Sequence, residues 1–212
     1  MIDGLLVTHI NQVVQSDITY IHLNGDFYYL VFIIDVYSKR IVGYQASDHL
    51  RASANQAALK QLIRLRGKAK LNNLIHHSDR GSQYMAKTYT KALTKINCHI
   101  SMGMEARKNA YAERINGIIK NDYLVHWHPK SYAQLVRLTK KAVFNYNHCP
   151  HGALAMKSPV QFEQHLLNVP LSQRTSMKIF TFKKAISSDP NQLNLFDFET
   201  SFVNQKGQPF SG

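Results

Sequence analysis

The feature that most constrains the fold is a nearly continuous apolar run over residues 27–34, which ends at Asp35. A strand with one face in water alternates polar and apolar residues, so this run belongs in the interior of a sheet. Turn signals at 24–26 and 37–40 flank it, and β-branched and aromatic residues continue on both sides. The sequence therefore predicts an antiparallel meander with strands over 13–21, 27–35 and 41–46.

The rest of the chain alternates helical and strand patterns. Alanines and leucines recur at helical spacing over 51–66, and Gly67 stands where such a helix ends. The later predicted elements are a strand at 74–78, a helix at 87–95, a strand at 98–101, a helix at 109–124 and a helix capped by Ser131, followed by a polar connector over 145–163. This order predicts an α/β fold with a mixed five-stranded sheet flanked by helices.

The pattern divides the chain into three parts. Residues 1–12 are predicted to be an irregular lead-in, and residues 13–165 the folded core. Residues 166–212 lack clear periodicity, so we expect a poorly ordered tail with one short strand near 178–182.

Charge and composition indicate the class of partner. Lys and Arg number 26 against 13 acids, which gives a formal net charge of +13 in a chain of 212 residues. Such a balance favours a polyanionic partner, of which nucleic acid is the commonest. Only Cys98 and Cys149 are present, and the sequence contains neither a signal peptide nor an apolar run of membrane length. We therefore expect a soluble cytoplasmic protein without a membrane partner.

Three acids stand out by position. Asp79 ends the predicted strand at 74–78 and is the only Asp or Glu between His49 and Met104. Asp17 lies inside a strand, where Asp is disfavoured, and Glu113 lies in the first turn or so of a helix. Neighbouring strands with a helix start across their ends would bring the three carboxylates together, which is unfavourable without a cation. This pattern favours a site for divalent metal ions.

Each acid also has a simpler explanation. Asp17 could face water at an edge, Asp79 could accept hydrogen bonds from its own turn, and Glu113 could stabilise a helix N-terminus. Asp35 also ends a strand and competes for a place in the site. The individual residues leave these alternatives open.

Several segments match one known family in the correct order. The segments DITYI (17–21), IDVYSKRIVG (34–43), HSDRGSQY (77–84) and NAYAER (109–114), with a later YN…PH…L…SP pattern over 146–159, resemble the retroviral-integrase-like core of bacterial insertion-sequence transposases. These are the transposases made from two overlapping reading frames. The resemblance implies an RNase H-like fold over about residues 5–165.

The resemblance also implies a catalytic site. Asp17, Asp79 and Glu113 correspond to an Asp-Asp-Glu triad that would bind two Mg²⁺ ions, with Mn²⁺ as a substitute. The implied reaction is DNA strand cleavage at element ends followed by strand transfer into target DNA. The resemblance also implies the partners, which are the element ends, the target DNA and further copies of the protein in a homodimer or larger assembly. The implied location is the bacterial cytoplasm, in association with the nucleoid.

Further residues are expected to contact DNA or support the site. The expected DNA contacts are Lys120, Asn116, Arg114 and Arg80. His77 and Gln83 correspond to positions that would support the triad without binding metal.

The sequence departs from the family pattern at several points. Val14 replaces a Trp, Lys108 replaces an acid and Cys149 replaces an Arg. The spacing from Asp79 to Glu113 (113 − 79 = 34 positions) is short for the family, and we expect the helix-turn-helix region that usually stands upstream of the core to be missing. An alternative is therefore an impaired, truncated remnant that only binds DNA, and a second is a ribonuclease H-type nuclease.

Overall fold

The computed structural model describes residues 2, 4–103 and 109–179, which form strands and helices in an alternating order. The strands are β1 (Leu6–Val7), β2 (Val13–Leu23), β3 (Asp26–Asp35), β4 (Ile41–Ser47), β5 (Ile75–Ser78), β6 (His99–Met102) and β7 (Met177–Lys178). The helices are α1 (Ala52–Arg66), α2 (Ser82–Met85), α3 (Lys87–Thr94), α4 (Ala110–Gly117), α5 (Val125–Trp127), α6 (Tyr132–His148) and α7 (Pro159–Leu166), with a π-helical segment at Ile118–Leu124.

The main sheet has five strands in the order β4-β3-β2-β5-β6. The first three pair antiparallel, whereas β2, β5 and β6 pair parallel. The predicted meander and the interior position of the apolar strand are therefore confirmed. This mixed sheet, with helices on both faces, is the RNase H-like fold that the sequence led us to expect.

Helices cover both faces of the sheet, which explains why β3 is apolar throughout. Val31 and Ile33 pack in the cluster that contains α1 and α3, whereas Leu30, Phe32 and Ile34 pack in the cluster that contains α4 and α6. Because side chains alternate between the faces of a strand, both sets must be apolar.

Helix α1 approaches β4 very closely at Gly43. A Cβ atom built on Gly43 would lie 2.2 Å from the carbonyl oxygen of Ala58, which leaves no room for a side chain. The glycine therefore sets the distance between α1 and the sheet.

Two parts of the helical prediction were wrong in detail. The predicted helix at 109–124 is α4 followed by the π-helical segment, and it continues through α5 to His128, whose φ of 45° ends it. The connector predicted over 145–163 contains the start of α7. Its capping box is formed by Ser158 and Gln161 with Pro159 in the first turn, and these residues do carry a start signal in the sequence.

The chain ends of the described part pack on the core. β1 and β7 form a second, two-stranded antiparallel sheet, so a strand lies within the segment predicted as a lead-in. Ile2, Val7, Met177 and Ile179 are buried with Leu166 in a third apolar cluster. Residues 166–179 thus contribute to the core. The remainder of the predicted tail, 180–212, and most of the predicted strand at 178–182 lie outside the described residues.

In the part of the chain that the structure describes, no helix is both long enough and apolar enough to cross a membrane.

Candidate active site

The parallel pairing of β2 with β5 brings two of the predicted carboxylates to the same edge. The register pairs Ser16 with Ser78, and these are the last paired residues of the two strands. Asp17 and Asp79 each follow directly, so they emerge side by side where the strands separate. The paired residues lie 62 positions apart in the chain (78 − 16 = 62 for Ser78 and Ser16), so the pairing brings together acids that sequence spacing alone does not.

Polar contacts from β2 position the start of α4. The side-chain oxygen of Gln15 accepts hydrogen bonds from the backbone N–H groups of Tyr111 (3.1 Å) and Ala112 (3.3 Å). The side-chain amide of Asn109 donates to the carbonyl oxygen of Ser16 at 2.8 Å. Gln15 thus satisfies two free amides of the first helical turn, and both contacts tie the start of α4 to β2, which places Glu113 near Asp17. Our sequence reasoning missed both, although a Gln in an otherwise apolar strand start was a visible signal.

The third carboxylate faces a cleft together with the first. Asp17, Glu113, Asn116 and Lys120 line an open cleft beside the middle of β2, just after its pairing with β5 ends. The Asn116 side-chain amide donates to Asp17 Oδ2 at 2.7 Å, and Asn116 is itself buried. This contact orients Asp17, whereas the sequence led us to expect that Asn116 contacts DNA.

The electrostatics of the cleft favour a cation. Burial raises the pKa of Asp17 to about 6, and the negative charges of Asp79 and Glu113 add to this rise. Partial burial also raises the pKa of Glu113. The backbone N–H of Ile18 and the Asn116 amide oppose the rise for Asp17 but do not cancel it. The raised pKa means that the ionised form of Asp17 is disfavoured by its surroundings. A bound divalent ion would supply the positive charge that stabilises this ionised form.

The residues fit a hard cation by chemistry, because Mg²⁺ prefers carboxylate oxygens. Asp79 Oδ1 accepts a hydrogen bond from the Gly81 N–H at 2.9 Å, as a turn aspartate often does. Asp79 therefore does stabilise its own turn, which was the alternative to a role in the site. Among the residues described, no three His, Cys, Asp or Glu side chains lie close enough together to hold a metal ion. Asp17 and Glu113 therefore share the cleft, and Asp79 follows the neighbouring strand, without the three forming a closed set of ligands in the described residues.

The other predicted DNA contacts are spread around this edge. Arg80 is exposed in the turn after Asp79. Lys120 lines the cleft, and its Nζ lies 4.9 Å from the centre of the Tyr20 ring. Arg114, also exposed, borders a separate pocket with Lys39 and His151.

Buried polar residues support the strands that carry the carboxylates. The Tyr84 hydroxyl lies 2.9 Å from Ser16 Oγ, directly beside Asp17 in the chain. His77 Nδ1 lies 2.9 Å from Ser101 Oγ, joining β5 to β6. His77 is therefore buried in the sheet and not free in the cleft.

Asp35 has a different role from the three carboxylates. It is fully buried and accepts hydrogen bonds from the backbone N–H groups of Asn11 (2.7 Å), Tyr37 (3.1 Å) and Ser38 (2.9 Å). It also faces Arg66, whose Nη2 lies 3.8 Å away. This competitor is thus a structural residue. Lys108 and its shortened loop lie outside the described residues.

Comparison with known proteins gives one consistent family. Two models, both described as "Integrase core domain", match residues 7–108 and 94–159. The chain is 34% identical over 134 residues to the transposase for insertion sequence element IS629 of Shigella sonnei, covering 61% of this chain and 44% of that protein. It is 30% identical over 161 residues to the transposase InsF for insertion sequence IS3A of Escherichia coli K12, covering 72% and 54%. The chain spans about half the length of the curated relatives it matches.

Solved structures agree on the fold. A chain of the simian T-cell lymphotropic virus intasome matches with a TM-score of 0.66 and 18% identity, covering 86% of this chain and 62% of that one. The HTLV-2 integrase catalytic core domain, solved in complex with magnesium in a dimeric form, matches with a TM-score of 0.58 and 20% identity, covering 72% and 95%.

Proposed function

Because this chain belongs to the integrase core domain family, we propose that it is the catalytic core of an insertion-sequence transposase. In this proposal it cuts DNA at the ends of a mobile element and joins those ends to target DNA. The observation that carries the proposal is the position of Asp17 and Asp79 directly after the last paired residues of neighbouring parallel strands, with Glu113 in the same cleft as Asp17.

The proposed site assigns a role to each residue of the cleft. Asp17, Asp79 and Glu113 would hold two Mg²⁺ ions, with Mn²⁺ as a substitute. Such ions lower the pKa of an attacking water or hydroxyl and stabilise the leaving oxygen of a phosphodiester. Asn116 holds one oxygen of Asp17, which fixes the direction of the other.

Positive groups would bind the DNA backbone beside the carboxylates. Lys120 lines the cleft and Arg80 is exposed next to Asp79, so both can reach a phosphate of a strand lying in the cleft. Arg114 would contact DNA farther from the carboxylates. The net charge of +13 supports a long, non-specific contribution to binding.

The proposal includes the setting of the reaction. The partners are the two element ends and the target DNA, and because two ends are joined to one target we propose a homodimer or larger assembly. The proposed location is the bacterial cytoplasm, in association with the nucleoid.

A strand-transfer assay tests this function. Pre-cut element ends are incubated with target DNA and Mg²⁺ or Mn²⁺, using the full chain and its Glu113→Gln variant. Asp122→Asn is a matched control, because Asp122 is an exposed acid on the same continuous helix. We expect metal-dependent joining by the wild type and by Asp122→Asn and a loss of at least about 100-fold in Glu113→Gln.

The same assay identifies the alternative. DNA binding without joining, even when an end-recognition module is supplied in trans, would contradict the proposed activity and identify an inert DNA-binding remnant. Cleavage of RNA in a hybrid without joining of DNA would instead indicate a ribonuclease H.

A further inference from the structure

An exposed aromatic surface lies on the β2–β3 hairpin next to the cleft. Tyr20 is 57% exposed and Phe27 is 54% exposed, yet their rings meet edge to face with centroids 5.7 Å apart. His22 adds a second edge contact to Phe27 at 5.1 Å. We call these three residues the aromatic patch.

The patch is located on the part of the hairpin that extends past the end of the pairing between β2 and β5. The pairing with β5 stops at Ser16, whereas the pairing with β3 runs from Val14 to Leu23, so from Asp17 onward β3 is the one neighbouring strand that pairs with β2 in the described sheet. Single exposed apolar side chains are ordinary, but exposed aromatic rings that touch one another form a contiguous patch, and such patches mark candidate binding surfaces.

Lys120 connects the patch to the candidate active site. Its Nζ lies 4.9 Å from the centre of the Tyr20 ring, and the same side chain lines the cleft that contains Asp17 and Glu113. The patch therefore begins one side chain away from the carboxylates.

The chemistry of this arrangement fits a nucleotide. A ring face binds a base by stacking, independently of sequence, and an adjacent ammonium group binds the phosphate of the same strand. A protein partner would have to bring an acidic group to Lys120, whereas DNA carries a negative charge at every nucleotide. The net charge of +13 also complements DNA.

We propose that the aromatic patch binds an unpaired base of the DNA, with Tyr20 as the stacking residue and Lys120 as the phosphate contact. This proposal rests on the function proposed above, because it requires a DNA strand in the cleft. It adds a contact to a base at the separated end of the duplex, which would hold that end open beside the carboxylates.

Binding to two DNA duplexes tests the proposal. One duplex is blunt, and the other carries a short single-stranded overhang containing 2-aminopurine, whose fluorescence falls on stacking. The proteins are the full wild-type chain, Tyr20→Leu, Tyr20→Phe and the control Phe144→Leu. Phe144 is a suitable control because it is 61% exposed on α6 and stacks on His148 at 4.1 Å.

We expect Tyr20→Leu to raise the Kd for the overhang duplex about tenfold and to abolish the quenching of 2-aminopurine, with the Kd for the blunt duplex unchanged. Tyr20→Phe keeps a ring face and should behave as wild type, as should Phe144→Leu. Equal effects of Tyr20→Leu on both duplexes, or no effect on either, would overturn the proposal.

Other outcomes distinguish a failure of the base contact from a failure of the proposed function on which it rests. If Tyr20→Leu alters the sedimentation of the free protein and leaves binding to both duplexes intact, the patch is an interface between copies and the base contact is wrong. If the wild type joins DNA ends but does not quench 2-aminopurine, the base contact fails and the proposed function stands. Absence of any DNA binding by the wild type would overturn both.

Discussion

The side-chain oxygen of Gln15 ties strand β2 to helix α4, two positions before Asp17 and close to Glu113. It is 1% exposed and accepts hydrogen bonds from two backbone amides at the helix start. Gln15→Met keeps the volume and removes the acceptor, so the two buried amides lose a partner at a cost of about 1–3 kcal/mol. A displacement of Glu113 by about 1 Å would lower the rate of strand transfer by roughly 100-fold.

The measurement that assigns Gln15 a positioning role is the Mg²⁺ dependence of strand transfer. We expect Gln15→Met to raise the Mg²⁺ concentration that gives half-maximal joining, because the ligands are held less well. Lower stability with an unchanged Mg²⁺ requirement would show that Gln15 acts on folding alone.

The pKa of Asp17 predicts how stability depends on pH in the absence of metal. This pKa is raised from its ordinary value of 3.8 to about 6 in the folded protein, first by burial and then by Asp79 and Glu113. A folded-state pKa above the unfolded one means that this contribution to stability is fully present below about pH 4. It is lost as the pH rises through about 6.

Asp17→Asn removes this titration. In EDTA at pH 8 we expect the variant to be more stable than the wild type by about 1–3 kcal/mol, and near pH 3.5 to be equal to it. Urea unfolding at both pH values measures the difference. If the wild type is as stable as the variant at pH 8, or more stable, then the ionised Asp17 carboxylate does not destabilise the metal-free protein.

At the scale of elements, a buried charge network fixes helix α7 to the sheet. Glu163 on α7 is 7% exposed and pairs with Arg66 at the end of α1 and with Arg40. It also accepts a hydrogen bond from the Ser38 hydroxyl at 2.7 Å. Hydrogen bonding to Arg66, its charge and the Ser38 contact together hold the pKa of Glu163 below its usual range, against the effect of burial.

Removing the charge of Glu163 leaves Arg66 and Arg40 without their shared partner. We expect Glu163→Gln to lower the free energy of unfolding by about 3–5 kcal/mol, because the buried Arg66 loses its hydrogen-bonded carboxylate and keeps only the more distant Asp35. The control Asp48→Asn changes an exposed acid that is 3.8 Å from His49, and it should cost less than about 1 kcal/mol. Equal costs in urea unfolding would show that the network contributes little to holding α7.

The same elements show what could be predicted from the sequence. The meander followed from β3, whose unbroken apolar run requires cover on both faces, and α1 followed from its spacing and Gly67. Helix α7 was predictable from its capping residues but was masked by the polar composition around it. The change to π-helical geometry at Ile118 has no signal that we can identify in local propensity.

At the scale of the whole molecule, long-range pairing decides the site. Asp17, Asp79 and Glu113 each stood out locally, but only the register of β2 with β5 and the contact of Gln15 with α4 bring them to one edge. These contacts join residues far apart in the chain, so no periodicity reveals them. The resemblance of ordered motifs supplied the grouping that propensity could not.

The most direct test of the account is the binding of Mn²⁺, measured by electron paramagnetic resonance on the full chain with a pre-cut DNA end. The account predicts that Asp17→Asn, Asp79→Asn and Glu113→Gln each weaken binding at least about tenfold, while the exposed control Asp122→Asn binds as the wild type does. Mn²⁺ binding that is unchanged in all three variants would contradict the claim that these carboxylates form one metal site.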